Sequence, residues 1–353
     1  MIFINSRFLT QPTTGVQRYA IELSIRLKQI DPSIQFICPE NVLHNDIFEK
    51  LGAKIIGTKT GHLWEQIDLP RFLKKNGNPI LINLCNTAPA FYKNKISVLH
   101  DIIYKLYPQS CSLLFRLWYL MLIPRVVKSS LKLITVSEFS REEISNNFGY
   151  PKDKISIVYN AVNKNFHSIG KKENTTPYLL AVSSITYHKN YDRMVKAFIQ
   201  LYNSGNININ LFVIGGTSNS FAKQNYDVSN IPIYFQGRVS DEKLIELYQN
   251  AEAFVFPSLY EGFGIPPLEA QACGCPVISS NTAAMPEILG DSVIYFDPEN
   301  IDDIQNAMYS IINNIQLKES LIKKGHENVS RFSWNESAQK LYQIILDVSK
   351  KRV

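Results

Sequence analysis

Glu261 and Glu269, with seven residues between them, stand in the chemically densest segment of the chain, Pro257-Ser258-Leu259-Tyr260-Glu261-Gly262-Phe263-Gly264-Ile265-Pro266-Pro267-Leu268-Glu269-Ala270. The segment follows a β-rich run and leads into a helical pattern, so Gly262, Phe263, Gly264 and Ile265 form a strand-to-helix turn. The two glycines let backbone approach a ligand, and the helix start offers amide donors and a positive dipole end, which suits a diphosphate. Pro266 and Pro267 lack two amides but preset the first helical turn, where those amides would be unpaired anyway. Glu269 by itself reads as an acid in a first helical turn. Glu261, between an aromatic residue and the Gly-Phe-Gly turn, has no helix to cap and is expected beside a ligand cleft.

Four other segments carry polar or ionisable side chains beside strand or helix ends. Ser183-Ser184-Ile185-Thr186-Tyr187-His188-Lys189-Asn190 follows the strand Tyr178 to Val182. Lys189 is either a solvated loop lysine or a cation that neutralises charge on a departing phosphate. His100-Asp101 closes a strand beginning at Ile96. A lone strand-end histidine is more often structural than catalytic, but a neighbouring carboxylate could orient the imidazole and set its tautomer. Near the start, Thr13-Thr14-Gly15-Val16-Gln17-Arg18-Tyr19 bridges the first strand and a helix. Ser137 and Ser140, in Thr135-Val136-Ser137-Glu138-Phe139-Ser140, are explained first as a helix N-cap.

These loops must be positioned by the elements before them. Apolar runs alternate with helical patterns: Ile2 to Asn5, then Val16 to Ile30; Ile80 to Leu84; Ile96 to His100; Leu131 to Val136, then Glu138 to Phe148; Ile155 to Tyr159. This βαβ alternation implies a parallel sheet. A polar stretch, Lys171 to Pro177, is read as a linker, and the alternation restarts through Leu211 to Gly216, Ile233 to Phe235, Ala253 to Phe256 and Pro276 to Ile278. The expectation is two doubly wound α/β domains, 1–170 and 171–353, with a last helix over about 335–351 returning to the first domain. Ligands of such sheets bind beyond the carboxyl ends of the strands, where every loop above lies.

Glu261 and Glu269, within Glu-Gly-Phe-Gly-Ile-Pro-Pro-Leu-Glu-Ala, resemble the E-x7-E signature of the fourth glycosyltransferase family, which has the GT-B fold: two facing Rossmann-like domains with the donor in the cleft. The likeness continues through Cys273-Gly274-Cys275-Pro276-Val277-Ile278 and Pro286-Glu287. It implies that Glu261 contacts the transferred sugar and Glu269 the nucleotide ribose. Lys189, with Ser183, Ser184 and His188 around it, would hold the diphosphate. Gly15 and Val16 would close on the donor phosphates, His100 would lie at the reaction centre and Asp101 would support it. Ser183 stands where the family commonly has Gly, His188 where it has Arg, and Ala161 where Asn-Gly-Val is frequent. His188 is therefore read either as a phosphate contact or as solvent-facing. The resemblance further implies anomeric retention and a bacterial surface-polysaccharide role, most like mannosyl- and rhamnosyltransferases. GDP-mannose is the favoured donor, with UDP- and dTDP-sugars and GDP-fucose as alternatives. A nucleotide-sugar epimerase of the same fold, or a binding protein without turnover, is the reading from another class.

Composition sets the outer bounds. With 353 residues and 45% hydrophobic content, two cores of ordinary domain size can be buried. The five cysteines show no metal-ligand spacing and read as free thiols. No Asp-x-Asp occurs and the six histidines are scattered, so the expectation is no cofactor and no metal, with Lys189 and helix amides in its place. No Gly-x-Gly-x-x-Gly follows the first strand, which disfavours a dinucleotide dehydrogenase. Arg7 comes too early for a signal peptide, and the run Leu113 to Pro124, broken by Arg116, is shorter than the roughly 20 residues of a membrane span. The expected place is the cytoplasm, against the inner face of the membrane. Residues 1–165 hold 21 basic and 12 acidic side chains, against 16 and 19 in the remainder, so the positive excess lies wholly in the first half. That balance suits a polyprenyl-diphosphate-linked glycan acceptor and an anionic membrane better than nucleic acid. The helix with Arg116, Trp118, Arg125, Lys128 and Lys132 is the expected contact.

Overall fold

A run such as Ile80-Leu81-Ile82, apolar on both faces, can form a strand only where both faces are covered, which favours parallel sheets flanked by helices. The computed structural model describes residues 1–168, 176–184, 186–205, 207–215 and 231–350. Of the expected linker from Lys171 to Pro177, residues 171–175 lie outside the described residues, as do Ile185 and Gly216.

The elements in chain order begin with β1 (Ile2–Asn5), α1 (Gly15–Ile30), β2 (Gln35–Cys38), α2 (Asn45–Leu51), β3 (Lys54–Ile55) and α3 (Gly61–Leu63). A π-helical turn (Trp64–Asp68) leads into α4 (Leu69–Lys75), then β4 (Ile80–Asn83), β5 (Lys95–Val98), α5 (Ile103–Leu106), α6 (Leu113–Ser129), β6 (Lys132–Thr135), α7 (Glu138–Phe148) and β7 (Ile155–Ile157). There follow β8 (Tyr178–Val182), α8 (Tyr191–Asn203), β9 (Asn210–Ile214), β10 (Ile233–Gln236), α9 (Asp241–Asn250), β11 (Ala253–Phe256), α10 (Ile265–Ala272), β12 (Val277–Ser280), α11 (Met285–Leu289), β13 (Ile294–Phe296), α12 (Ile301–Asn313), α13 (Ile315–Val329) and α14 (Trp334–Lys350).

Two units result: Met1–Asn160 with Ser333–Val353, and Ala161–Phe332. The first holds a parallel seven-stranded sheet in the order β3-β2-β1-β4-β5-β6-β7, the second a parallel six-stranded sheet in the order β10-β9-β8-β11-β12-β13. Each order reverses once, between β1 and β4 and between β8 and β11, and such switch points open the crevice in which open α/β sheets bind ligands. In the second unit Leu179, Met194, Phe198, Val213 and Val255 belong to one continuous core. In the first unit α14 runs along α1: Arg26 Nε donates to Asn335 Oδ1 at 2.8 Å, and Ser337 Oγ to the Tyr159 carbonyl at 2.8 Å.

Some elements differ from expectation. The short strand β2 and the edge strands β3 and β13 are not marked in the sequence, because two to four residues give too little alternation to stand out. α6 ends at Ser129, so Lys132 belongs to β6 and not to the helix. Trp118 is half-buried, packed against the buried Ala88, Ala90, Leu122 and Val126. Arg116 is half-buried, leaving Arg125 and Lys128 as the exposed basic residues of that helix. Among the described residues no helix is long and apolar enough to cross a membrane.

Candidate functional site

In the second unit the switch point places the β8–α8 loop against the β11–α10 loop. Asn190 makes the first turn possible: its φ of 58° is left-handed, which asparagine tolerates better than most residues. Its amide then donates to the Pro257 carbonyl at 3.0 Å and the Pro298 carbonyl at 2.7 Å, tying the loop to the end of β11. Leu259 N donates to the His188 carbonyl at 2.7 Å. From across the β11–α10 loop, Ser280 Oγ donates to the Ser258 carbonyl at 2.6 Å, and Thr282 Oγ1 to the carbonyls of Ser258 and Leu259 at 3.3 and 3.2 Å.

This bracing brings Lys189 Nζ to 2.5 Å from Glu261 Oε1, with side chains 16% and 15% exposed. Two groups 72 positions apart in sequence thus form one partly accessible ion pair at the strand ends. The ammonium also lies 6.0 Å from the Phe256 ring centroid. His188 is buried, with Nδ1 3.1 Å from Thr186 Oγ1. Burial pushes its pKa down to about 4, with the Lys189 charge adding to the effect and Glu261 opposing it. The solvent-facing reading of His188 is therefore corrected: the imidazole is neutral and holds the turn that presents Lys189. Ser183 and Ser184 follow β8 at the same strand ends, Ser184 exposed. Gly215 (φ 94°) is needed there, because a Cβ would stand 2.7 Å from the Ser183 carbonyl oxygen.

Gly262 is half-buried and Phe263 buried, the Phe263 ring edge-on to Phe332 at 5.5 Å. Gly264, at φ 82°, begins α10 where a side chain would collide with Met285 Cε at 2.4 Å. Ile265 is the first helical residue. Glu269 is buried on α10, near enough to raise the pKa values of the already desolvated Tyr248 and Cys273. A buried carboxylate beside two neutral groups is suited to accept hydrogen bonds from hydroxyls.

In the first unit His100 is 5% exposed, and its Nε2 lies 2.9 Å from the Leu84 carbonyl oxygen. Burial pushes its pKa down to about 4, against the opposing effect of that bond. The neutral ring therefore donates from Nε2, which leaves Nδ1 as an acceptor. The Leu84 carbonyl sets this tautomer, and Asp101 Oδ1 accepts from Ile103 N at 3.1 Å in the turn that follows. The Tyr19 ring meets the imidazole edge-on at 4.8 Å, and Trp334 of α14 supports Tyr19 at 5.9 Å. Ser140 Oγ donates to the His100 carbonyl at 3.0 Å, while Ser137 caps α7 through Ser140 N. Gly15 is exposed and Val16 half-buried in the first turn of α1, where Thr14 and Gln17 form a capping box.

A network not anticipated from sequence lies at the β1/β4 switch point. Arg7 Nε donates to Glu65 Oε1 at 3.2 Å and its Nη2 to Thr87 Oγ1 at 2.7 Å; Asn5 Nδ2 donates to Glu65 Oε1 and Asn83 Oδ1 at 2.9 and 3.0 Å. The Glu65 carboxyl has its pKa held down to about 2: burial alone would raise it, but the Arg7 charge and the polar groups of His62, Thr87 and Asn5 around it outweigh desolvation. The π-helical turn delivers Glu65 to the interior, and such turns recur at functional sites. No short-range pattern in the sequence marks that turn.

Among the described residues, no three His, Cys, Asp or Glu side chains gather as a metal ion would require. Residues 162–328 match the family model described as glycosyl transferases group 1, and residues 13–166 the model described as glycosyltransferase family 4. The O-antigen chain mannosyltransferase RfbU of Salmonella typhimurium is 29% identical, over 96% of this chain and 97% of its own length. The O-antigen chain mannosyltransferase B of Escherichia coli is 31% identical over 57% of each chain. The solved structure of a glycosyltransferase from Rickettsia africae superposes with a TM-score of 0.75 at 19% identity, covering 99% of this chain and 98% of that one.

Proposed function

The chain belongs to glycosyltransferase family 4, and from that premise we propose that it moves mannose from GDP-mannose to a lipid-linked glycan during assembly of an O-antigen or capsular polysaccharide. Its two parallel, doubly wound units are those of the GT-B fold. The observation that carries the reading is the Lys189–Glu261 pair at the β8/β11 switch point. A nucleotide diphosphate arriving there meets an ammonium at the point where negative charge develops as the sugar departs, and a cation fixed in advance stabilises that charge without reorganising. Full-length similarity to an O-antigen chain mannosyltransferase supports mannose and the polysaccharide role.

In this reading Glu261 contacts the sugar, and Glu269 accepts hydrogen bonds from the ribose hydroxyls. Ser183, Ser184, Gly262, Phe263, Gly264 and Ile265 line the donor's path. Gly15 and Val16 approach the phosphates, and the neutral His100, with Nδ1 as acceptor, serves the sugar side of the reaction, while Asp101 secures the turn that follows it. The acceptor hydroxyl attacks on the face from which the diphosphate leaves, whose oxygen takes the proton, so the anomeric configuration is retained. Lys189 stands in the place of a divalent metal. The basic first unit supports an anionic, membrane-borne acceptor and peripheral contact with the inner face of the membrane.

The test is binding and slow hydrolysis of GDP-mannose, GDP-fucose, UDP-N-acetylhexosamines and dTDP-rhamnose, each with and without chelator. Release of GDP from GDP-mannose in chelator is expected. Hydrolysis of a different donor reassigns the sugar, dependence on added metal removes the metal-free mechanism, and conversion of a donor to its epimer replaces transfer with isomerisation.

A further inference from the structure

A pocket of about 320 Å³ lies in the first unit between α4, with the turn before it, and the β4–β5 loop. Ile67, Pro70, Pro89 and Phe91 give it an apolar wall, and Arg71 and Lys74 are its charged lining groups. Asp68, one turn before Arg71, is engaged by the amides of Thr58 and Lys59 at 3.0 and 2.9 Å. The Gln66 side chain fixes the opposite wall, donating to the Ala88 carbonyl at 3.0 Å and accepting from Ala90 N at 2.8 Å. Phe91, at the rim, is 84% exposed.

The same wall is fastened to α6, since Ser129 Oγ donates to the Ala90 carbonyl at 2.8 Å and Trp118 packs on Ala88 and Ala90. Leu113, Leu114, Leu117 and Met121 of α6 are all exposed, and Arg125 and Lys128 continue the same helical face. Exposed aliphatic and aromatic side chains with cations beside them are what a helix at a membrane surface requires. Nucleic acid would use the cations but not the leucines.

We propose that this pocket takes the phosphate headgroup of an anionic phospholipid, Arg71 and Lys74 pairing with the phosphate while Phe91 and the exposed face of α6 enter the acyl boundary. The inference rests on the membrane-contact reading above and adds the headgroup site to it. Soluble phosphate esters share this chemistry, and the test separates them.

Co-sedimentation would compare vesicles of phosphatidylglycerol in phosphatidylcholine with phosphatidylcholine alone. The proteins are the full-length chain, Arg71→Ser/Lys74→Ser, and Lys340→Ser/Lys350→Ser, which removes two cations of the same unit from α14. The pocket variant should bind anionic vesicles roughly 10- to 30-fold more weakly, on the scale expected for two surface cations, and the α14 variant within about threefold of the parent. Its donor hydrolysis should be unchanged, which shows that it is folded. If both variants weaken equally, the headgroup site is wrong and general membrane attraction remains. If the parent ignores anionic vesicles, membrane reading and headgroup site fall together, whereas absent donor hydrolysis in the parent counts against the transferase reading alone. If glycerol phosphate displaces the protein from vesicles at its ordinary binding concentration, the occupant is a soluble phosphate ester and the lipid assignment is overturned.

Discussion

Lys189 and Glu261 hold each other at 2.5 Å, so removing either leaves the other as a partly buried charge without its partner. Lys189→Ala is expected to lower turnover by roughly 10²- to 10³-fold at saturating donor, the scale for one lost charge-stabilising group. A loss of less than about threefold would remove Lys189 from that role. Glu261→Gln combined with Lys189→Ala should cost less than the two single effects added together, because the groups act as one unit.

The histidines make a separate residue-level case through pH. His100 and His188 both sit near pKa 4 when folded and return to about 6.5 when unfolded. The unfolded chain therefore binds more protons between these values, and stability falls as pH drops through that window. Denaturant titrations from pH 7 to pH 4 should show this loss, with a shallower slope for His100→Asn. An unchanged slope in that variant would mean that His100 is not buried in its neutral form.

At the scale of the element, α10 can begin where it does only because residue 264 is glycine. Gly264→Ala carries a left-handed backbone cost of about 1–2 kcal/mol and a collision with the Met285 side chain. Adding Met285→Ala should recover the collision but not the backbone cost, read as a partial return of the denaturation midpoint. Gly215→Ala meets the backbone oxygen of Ser183 instead, so no second-site truncation of a side chain should rescue it.

At the scale of the whole molecule, the chain closes its first unit with its last helix, and Trp334 supports the Tyr19 ring that packs against His100. Truncation after Phe332 would uncover the face of α1 against which α14 packs. Hydrogen exchange should then accelerate in α1 and around residues 99–101, while β8, β11 and α10 keep their protection. Equal loss in both units would mean that they do not unfold separately.

What could be read from sequence was what is local. The E-x7-E spacing, the Gly-Phe-Gly turn and the alternation of apolar runs with helical patterns depend on near neighbours, and they led to the family and to the parallel α/β architecture. The pairing of Lys189 with Glu261, the neutral His188 and the Leu84 carbonyl facing His100 arise from contacts between distant segments. Desolvation and the direction of a ring nitrogen are properties of a packed interior, which no spacing encodes. The Arg7–Glu65 pair is the clearest instance: a π-helical turn rotates one glutamate inward, so only the tertiary structure decides that it meets an arginine 58 positions earlier.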